Sequence, residues 1–435
     1  MKIPALPGFD PAAFEKYLKN TGWLMFGKIL SMIIGFIIAR YLGPYAFGEL
    51  SFADAFTSLF AAVATLGLDS FIIREIINSP QSRDEILGTS LWLRLSVSIL
   101  LIPVAVVIYI FFKEDSTQTS LMVSLIAFCA TATVFKSFNI IDSYFQSQVQ
   151  SKYVVQVQNV CLIISAVVKV VFVWLKLPVI YFALALVMDG VLLAAGLMLI
   201  YKKKGFSLLS WKFNKTRAFS LLEKSWPLIL SAVMISIYMK IDQVMLKRLG
   251  SEEVGVYSAA AKISESWYFI PVAIVSSVFP AILNARKTDI NRYNKRLQNL
   301  YDLLVAISLP VAIVISFLAN DIIQIIYGDR YAGAGTMLSI HIWSGIFVFL
   351  GSASSQYLLA EGYTVISFIR TGVGAIINVV LNIWLIPRYG GVGASVATLI
   401  AYIIAVFFIF FLRRTRKQAI MMFQSLFLIS LVKKL

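Results

Sequence analysis

The sequence predicts an all-α polytopic membrane protein of about twelve transmembrane helices, arranged as two parallel six-helix repeats. Three observations predict it. Apolar residues greatly outnumber charged ones, apolar runs of spanning length recur along the whole chain, and one motif returns after 207 residues.

Composition sets the class. Of 435 residues, 59% are hydrophobic and 14% charged, with a mean hydropathy of +0.84. A soluble protein carries roughly a quarter charged residues. The runs are also too long for an outer-membrane barrel, whose strands alternate over ~10 residues. Cys129 and Cys161 lie inside apolar runs and read as small buried hydrophobes. A single histidine, His341, leaves no basis for a histidine metal centre, so neither a metal nor a cofactor is expected.

Twelve spans are expected at 21–40, 50–73, 88–112, 119–140, 153–175, 179–201, 226–246, 256–282, 300–319, 334–358, 365–386 and 391–412. Each is near the ~20 residues a bilayer core requires. The first run is too long for a signal-peptide h-region and lacks a small-residue cleavage site, so it reads as an uncleaved span. The stretch from Ala419 to Val432 is short for a span and reads as an interfacial or fraying tail.

Lysine and arginine in the short loops set the orientation. One side carries 24 of them, including Arg74, Arg83, Lys152, Lys202, Lys203, Lys204, Arg286 and Arg413. The other carries 7: Arg40, Lys113, Lys176, Lys247, Arg248, Arg330 and Arg388. Both termini are therefore expected in the cytoplasm. The net charge of +16 then follows from topology, and nucleic acid is not an expected partner.

The repeat is legible in the loops. Arg40-Tyr-Leu-Gly-Pro-Tyr-Ala-Phe-Gly-Glu-Leu-Ser51 follows the first span, and Lys247-Arg-Leu-Gly-Ser-Glu-Glu-Val-Gly-Val-Tyr-Ser258 follows the seventh. A weaker echo aligns Trp174 with Trp384. Six spans separate the copies, and an even number preserves orientation, so the halves are expected to be parallel repeats. The expected organisation is an N-terminal half at 1–201, a basic cytoplasmic linker at 202–224, a C-terminal half at 225–412 and a basic cytoplasmic or interfacial tail at 413–435. The linker reads either as a partly amphipathic segment on anionic headgroups or as a solvated loop.

Ionisable groups inside spans are the sharpest functional signal, since each central charge costs roughly 2.5–3.5 kcal/mol. The cations there are Lys28, Arg94, Lys136, Lys169, Lys240, Lys262 and Arg370. Lys136 and Arg370 lie near span ends and are expected to snorkel; Arg94 is open to the same reading. Lys262 and Glu265 share a helix face and could pair locally. Lys240 and Asp242 are two apart and point to different faces. Lys28, Lys169 and Lys240 are the leading candidates for a substrate-binding cationic cavity, with Lys262 and Arg94 behind them. Asp54, Asp189 and Asp242 are candidates for ion coupling or charge compensation. An excess of fixed positive charge suits an anionic substrate, whose phosphate oxygens Lys and Arg hold well. No P-loop, GxSxG or HExxH motif is present, so no catalytic residue is expected.

Four segments carry a family resemblance. Ala39-Arg-Tyr-Leu-Gly-Pro-Tyr-Ala-Phe-Gly48 and Gly67-Leu-Asp-Ser-Phe-Ile-Ile-Arg74 resemble the opening signature of the polysaccharide exporters, the Wzx-type O-antigen flippases. Ile241-Asp-Gln-Val-Met-Leu246 and Val254-Gly-Val-Tyr-Ser-Ala-Ala-Ala-Lys262 look like the matching signature of their second half. They belong to the multidrug/oligosaccharidyl-lipid/polysaccharide exporter superfamily, which also holds drug antiporters and the lipid II flippase. The resemblance implies V-shaped bundles around a central cavity and alternating access. It also implies a lipid-linked oligosaccharide on undecaprenyl pyrophosphate, moved to the periplasmic leaflet of a bacterial inner membrane for O-antigen or lipopolysaccharide synthesis. A polysaccharide polymerase and assembly proteins are the partners it implies, beside membrane lipids. Twelve spans rather than fourteen disfavours the lipid II flippase. The rival readings are an ion-coupled drug or cation exporter, and a membrane polymerase or ligase, against which the short external loops argue.

Overall fold

Long apolar segments with few helix breakers give long helices, and the computed structural model shows little else. It describes residues 11–113, 119–286 and 289–432. Lys2, Lys287, Lys433 and Lys434, four of the 24 lysines and arginines of the basic side, lie outside the described residues, as do both chain ends. Among the described residues there is no strand. The helices are α1 (Pro11–Ala64), α2 (Leu68–Asn78), α3 (Arg83–Phe112), α4 (Thr119–Lys136), α5 (Ile140–Ser147), α6 (Lys152–Trp174), α7 (Val179–Lys203) and α8 (Lys215–Leu246). There follow α9 (Ser251–Glu265), α10 (Phe269–Arg286), α11 (Ile290–Tyr327), α12 (Ala334–His341), α13 (Ser344–Ala360), α14 (Thr364–Phe407), α15 (Arg416–Leu426) and α16 (Ile429–Val432).

Ten continuous helical stretches among the described residues are long and apolar enough to cross a membrane. The sequence expects twelve, and two of the ten account for the difference. Met25–Ala64 and Thr364–Phe411 each cover two expected spans. Each is broken by a glycine with left-handed backbone, Gly43 (φ 72°) in α1 and Gly390 (φ 56°) in α14. Only glycine adopts these angles without steric cost. Pro44 then removes the donor that would continue α1. In α14, the Glu253 carboxylate accepts the freed amide of Gly391 at 2.6 Å, capping the restarted helix.

The chain packs as two units. The first takes in residues up to Tyr41 and Thr57–Ala232; the second takes in Leu42–Phe56 and Val233–Leu435. A short piece of the first repeat, Leu42–Phe56, which contains Gly43, thus belongs to the second unit.

In the first unit α4 packs against α3 and α7, and α7 against α6. Below them lies a core of Leu68, Ile72, Ile76, Ile86, Ile140, Phe145 and Leu197. Tyr144 and Tyr201 close it with edge-on rings at 5.4 Å. The linker is docked on α3. The Lys212 amide donates to the Asp84 carbonyl (3.2 Å), the Asn214 amide to Thr89 Oγ1 (3.1 Å), and Arg217 to Glu85 (2.7 Å). Gly88 permits this, because a Cβ there would strike the Lys212 backbone.

In the second unit α11 packs against α10, α12, α13 and α15, and α14 against α12 and α13. The repeated motifs meet here. A Cβ on Gly48 would collide with the Ser251 carbonyl oxygen, and one on Gly255 with the Pro44 carbonyl oxygen. Gly48 and Gly255, like Pro44 and Ser251, are spaced by the 207-residue repeat, so 44–48 and 251–255 cross reciprocally. The turns before them match too, with Gly43 at φ 72° and Gly250 at φ 113°.

Candidate functional site

Asp242 is one of three acids of the second unit, with Glu49 and Asp302, that are almost wholly buried. It lies near the end of α8, with its side chain almost wholly buried. Its Oδ2 accepts the Tyr257 hydroxyl of α9 (2.8 Å) and Thr398 Oγ1 of α14 (2.6 Å). Its Oδ1 accepts Asn382 Nδ2, also of α14, at 2.5 Å. Asn382 Nδ2 reaches Asn378 Oδ1 at 2.5 Å as well, and Asn378 Nδ2 donates to the Tyr238 carbonyl at 3.3 Å. Every direct partner of the carboxylate is neutral.

That arrangement has an energetic logic. A charge inside a span costs several kcal/mol, and each hydrogen bond to a charged acceptor returns about 1.5–3 kcal/mol. Three neutral donors hold a carboxylate without locking it to a fixed cation. Asn382 Oδ1 is buried and has no partner, and Asn378, Thr398 and Tyr257 offer further oxygens. An all-oxygen set of one negative charge suits a proton or a hard monovalent cation rather than a transition metal. Among the described residues, no cluster of three His, Cys, Asp or Glu could hold a metal ion.

Lys240, two residues earlier, has a different neighbourhood, as its spacing from Asp242 requires. It feels the charge of Glu265 most strongly, then those of Asp54 and Asp242. Glu265 in turn interacts more with Lys240 than with Lys262. The Lys262 ammonium lies 5.5 Å above the Phe47 ring, a cation–π contact. Lys240, which the fold brings near Glu265 from another helix, thus joins Lys262 as a counter-charge to that acid. Asp54, exposed on its helix, belongs to this same group.

The first unit holds ion pairs. Lys169 of α6 binds Asp189 of α7 at 2.5 Å. One oxygen of that carboxylate, Oδ1, is buried without a partner. Arg94 of α3 binds Asp69 of α2 at 2.8 Å, with the arginine 2% and the aspartate 58% exposed. Arg94 therefore pairs instead of snorkelling. Lys28 is exposed on α1, one residue from the Gly27 that packs on Asn159. Of the sequence candidates, Lys169 and Asp189 come together as an ion pair, and Lys240 lies near Asp54, while Asp242 has its own set of neutral partners. Lys28 and Arg94 stand apart from these groups.

Arg370 departs from expectation. It is buried, and its guanidinium donates to Ser354 Oγ (2.8 Å) and Ser355 Oγ (2.7 Å). It lies two turns into α14, where α13 supplies both hydroxyls, so it has no need to reach the interface. Lys136, in the last turn of α4, is exposed as a snorkelling lysine should be.

Sequence reasoning did not pick out Asn378, Asn382, Thr398 and Tyr257. A signal for two of them existed. Asn378 and Asn382 are four apart in an otherwise apolar span and so share a face. A pair of amides on one face of a membrane helix needs a polar partner.

Fold and site together define a multi-pass helical membrane protein built from two repeats, with ionisable groups held inside its spans. It belongs to the polysaccharide biosynthesis protein family, which it matches over residues 17–286, more than half its length. Residues 227–384 also match the MatE family. Among curated proteins it is 28% identical over 152 residues to the probable flippase AglR of Haloferax volcanii, covering 34% of this chain and 32% of that one. It is 24% identical over 422 residues to the uncharacterized membrane protein MJ1375 of Methanocaldococcus jannaschii, covering 91% and 97%. Another relative is the probable low-salt glycan biosynthesis flippase Agl15 of Haloferax volcanii, 26% identical over 35% of this chain and 33% of that one. The matches to AglR and to a second Methanocaldococcus jannaschii membrane protein span only 32% and 22% of those proteins. The fold is that of the lipid II flippase MurJ in an inward closed conformation, with a TM-score of 0.74 and 17% identity over 95% of this chain and 93% of that one. An inward-facing multidrug resistance MATE transporter gives 0.72 and 17% identity over 90% and 95%.

Proposed function

We propose that this protein is a flippase that carries a lipid-linked oligosaccharide across the membrane by alternating access, and that it is a transporter and not an enzyme. Asp242 carries the transport reading. A buried carboxylate in a span, held only by neutral donors, is a group whose charge can change during a cycle, as in ion-driven transporters. Asp242 is then the coupling residue, with Asn378, Asn382, Thr398 and Tyr257 positioning it for a proton or an alkali cation.

The family supports a glycan as cargo, and the printed names of AglR and Agl15 support a flippase. We place the cargo on undecaprenyl pyrophosphate or a similar polyprenyl carrier, in the service of O-antigen or a related surface polysaccharide. The membrane is then the bacterial cytoplasmic one, with both termini inside. A pyrophosphate would compete with Asp189 for Lys169, and Lys28 would offer an accessible positive charge. Polymerase and assembly partners would act on the glycan once it is across.

The MatE match supports a second reading, an ion-coupled exporter of organic cations, since residues 227–384 include Asp242, Asn378 and Asn382. One experiment separates the two. The chain and its Asp242→Asn, Lys28→Ala and Lys169→Ala variants are expressed in a strain lacking its own glycan flippase. The expected result is surface polysaccharide with the native chain and at least tenfold less with Asp242→Asn, at equal membrane levels. Asn keeps the shape of the side chain and removes its charge. Absence of polysaccharide, together with Asp242-dependent efflux of a cationic dye, would establish the exporter instead.

A further inference from the structure

The repeat does not stop at the sixth span. The helices α3 and α11 begin at Arg83 and Ile290, 207 residues apart. In the first unit, the segment after α7 docks on α3 through Lys212, Asn214 and Arg217. In the second unit, the segment after α14 docks on α11, further along that helix. Gln418 Nε2 donates to the Tyr301 hydroxyl (2.6 Å), and Gln298 Nε2 to the Met421 carbonyl (3.1 Å). Ser425 Oγ donates to Asp302 Oδ1 (2.6 Å), and Ser430 donates to the same oxygen. Under the 207-residue offset Met421 stands where Asn214 stands. The linker and the tail thus occupy corresponding places in the chain, each following the last long helix of its repeat, though the tail is helical where the linker is a short 3-10 turn and an extended stretch.

The polarity of α15 is inverted. Its packed face carries Gln418 and Ser425 beside Ala419 and Met422, all buried. Its open face carries Phe423 (50% exposed), Phe427 (58%) and Ile420 (42%), with Phe411 (81%) just before it. A helix that turns polar groups inward and aromatic groups outward is facing something apolar. Its approach is strongly basic: Arg413, Arg414, Arg416 and Lys417 are all exposed, and no acid occurs from residue 413 to the end of the chain. Arg416 stacks 4.9 Å above the Phe410 ring. The linker repeats this chemistry. Leu209 is 97% exposed, Phe213 is exposed too, and Lys202, Lys203, Lys204, Lys212 and Lys215 surround them without an acid between 202 and 222.

We infer that α15 is an interfacial helix that binds anionic phospholipid, with Arg413, Arg414 and Lys417 on the headgroups and Phe423 and Phe427 among the acyl chains; the linker is its counterpart in the first unit. Charge complementarity selects the occupant. Basic clusters beside an apolar face bind anionic leaflets much more strongly than zwitterionic ones. The polar seam to Asp302 and Tyr301 fixes which face the helix turns to the lipid. The inference stands whatever the cargo.

The test titrates the full-length protein, in neutral detergent, with phosphatidylglycerol and separately with phosphatidylcholine while its thermal unfolding is followed. Phosphatidylglycerol should raise the melting temperature and phosphatidylcholine should not. The variant Arg413→Ser/Arg414→Ser/Lys417→Ser should need roughly tenfold more phosphatidylglycerol for the same rise. Its lipid-free melting temperature should match the native value, since the three side chains are exposed. If that variant does not accumulate, the single Lys417→Glu carries the same comparison. Phe423→Ser/Phe427→Ser should also weaken the response while keeping the cations. An equal response to the two lipids overturns the inference, as does a cation variant that titrates like the native protein. A detergent-stable dimer that Phe423→Ser/Phe427→Ser splits would put a second copy on this face, and also overturns it.

Discussion

A charge inside a span has to be satisfied by something, and the pair of Arg94 and Asp69 shows how unevenly that can be arranged. The arginine is buried with one nitrogen, Nε, unbonded, while the aspartate keeps most of its surface open. Removing the acid leaves a buried guanidinium without a counter-charge. Asp69→Ala should therefore destabilise the protein by about 2 kcal/mol, toward the low side for a broken buried pair because Asp69 is largely exposed. The double variant Arg94→Met/Asp69→Ala should recover most of that loss, and thermal melting of the purified variants checks both. The same residue scale shows what a sequence conceals. Arg94, Lys169, Asp189 and Asp242 were visible as costly charges; which groups they would pair with was not. Asp69 lies 25 residues from Arg94, and Thr398 lies 156 from Asp242. Such partners are chosen by helix packing, which short-range periodicity does not encode. Spacing did settle the local question, that Lys240 and Asp242 look to different neighbours.

At the scale of an element, the repeated motif proves to be a packing device. The sequence shows that Leu-Gly, four residues and then Gly recurs; it does not show that the two copies cross each other. The crossing needs glycine at both 48 and 255, since each Cβ would meet a backbone carbonyl of the opposite copy. Backbone cannot be displaced cheaply, and overpacking of this kind costs typically 1–3 kcal/mol. Gly48→Ala and Gly255→Ala should each lower stability by about that much. Gly372→Ala is the control, for it sits in α14 with nothing within 4 Å of the added atom. There the lower chain entropy of alanine should leave stability unchanged or raised by about 0.5–1 kcal/mol. A melting series on the three variants that failed to separate Gly372 from the other two would show that the crossing tolerates a methyl group. Helix ends were less legible. Gly43 and Gly390 were read as gaps between spans, whereas the backbone bends through both with helix continuing on either side.

On the scale of the whole molecule, two repeats share a scaffold and differ in chemistry. The positions 207 residues from Asp242 and Asn378 are Gly35 and Val171, so the neutral-donor site belongs to the second repeat alone. Lys169 and Asp189 correspond in the same way to Ile376 and Val396, so the lysine ion pair belongs to the first. A duplicated fold can specialise like this because lipid-facing and packing positions fix each helix, leaving single inward positions free to change. Orientation is the property that duplication must preserve, and it rests on loop charge. The basic loops hold 24 lysines and arginines against 7 on the other side, a bias that determines which side stays in the cytoplasm. A green fluorescent protein fused after Leu435 should therefore fluoresce, and alkaline phosphatase fused there should be inactive. Phosphatase inserted after Gly328, in a turn on the sparsely charged side, should be active. The reverse pattern would place the basic linker and tail outside the cell, where the proposed direction of transport could not hold.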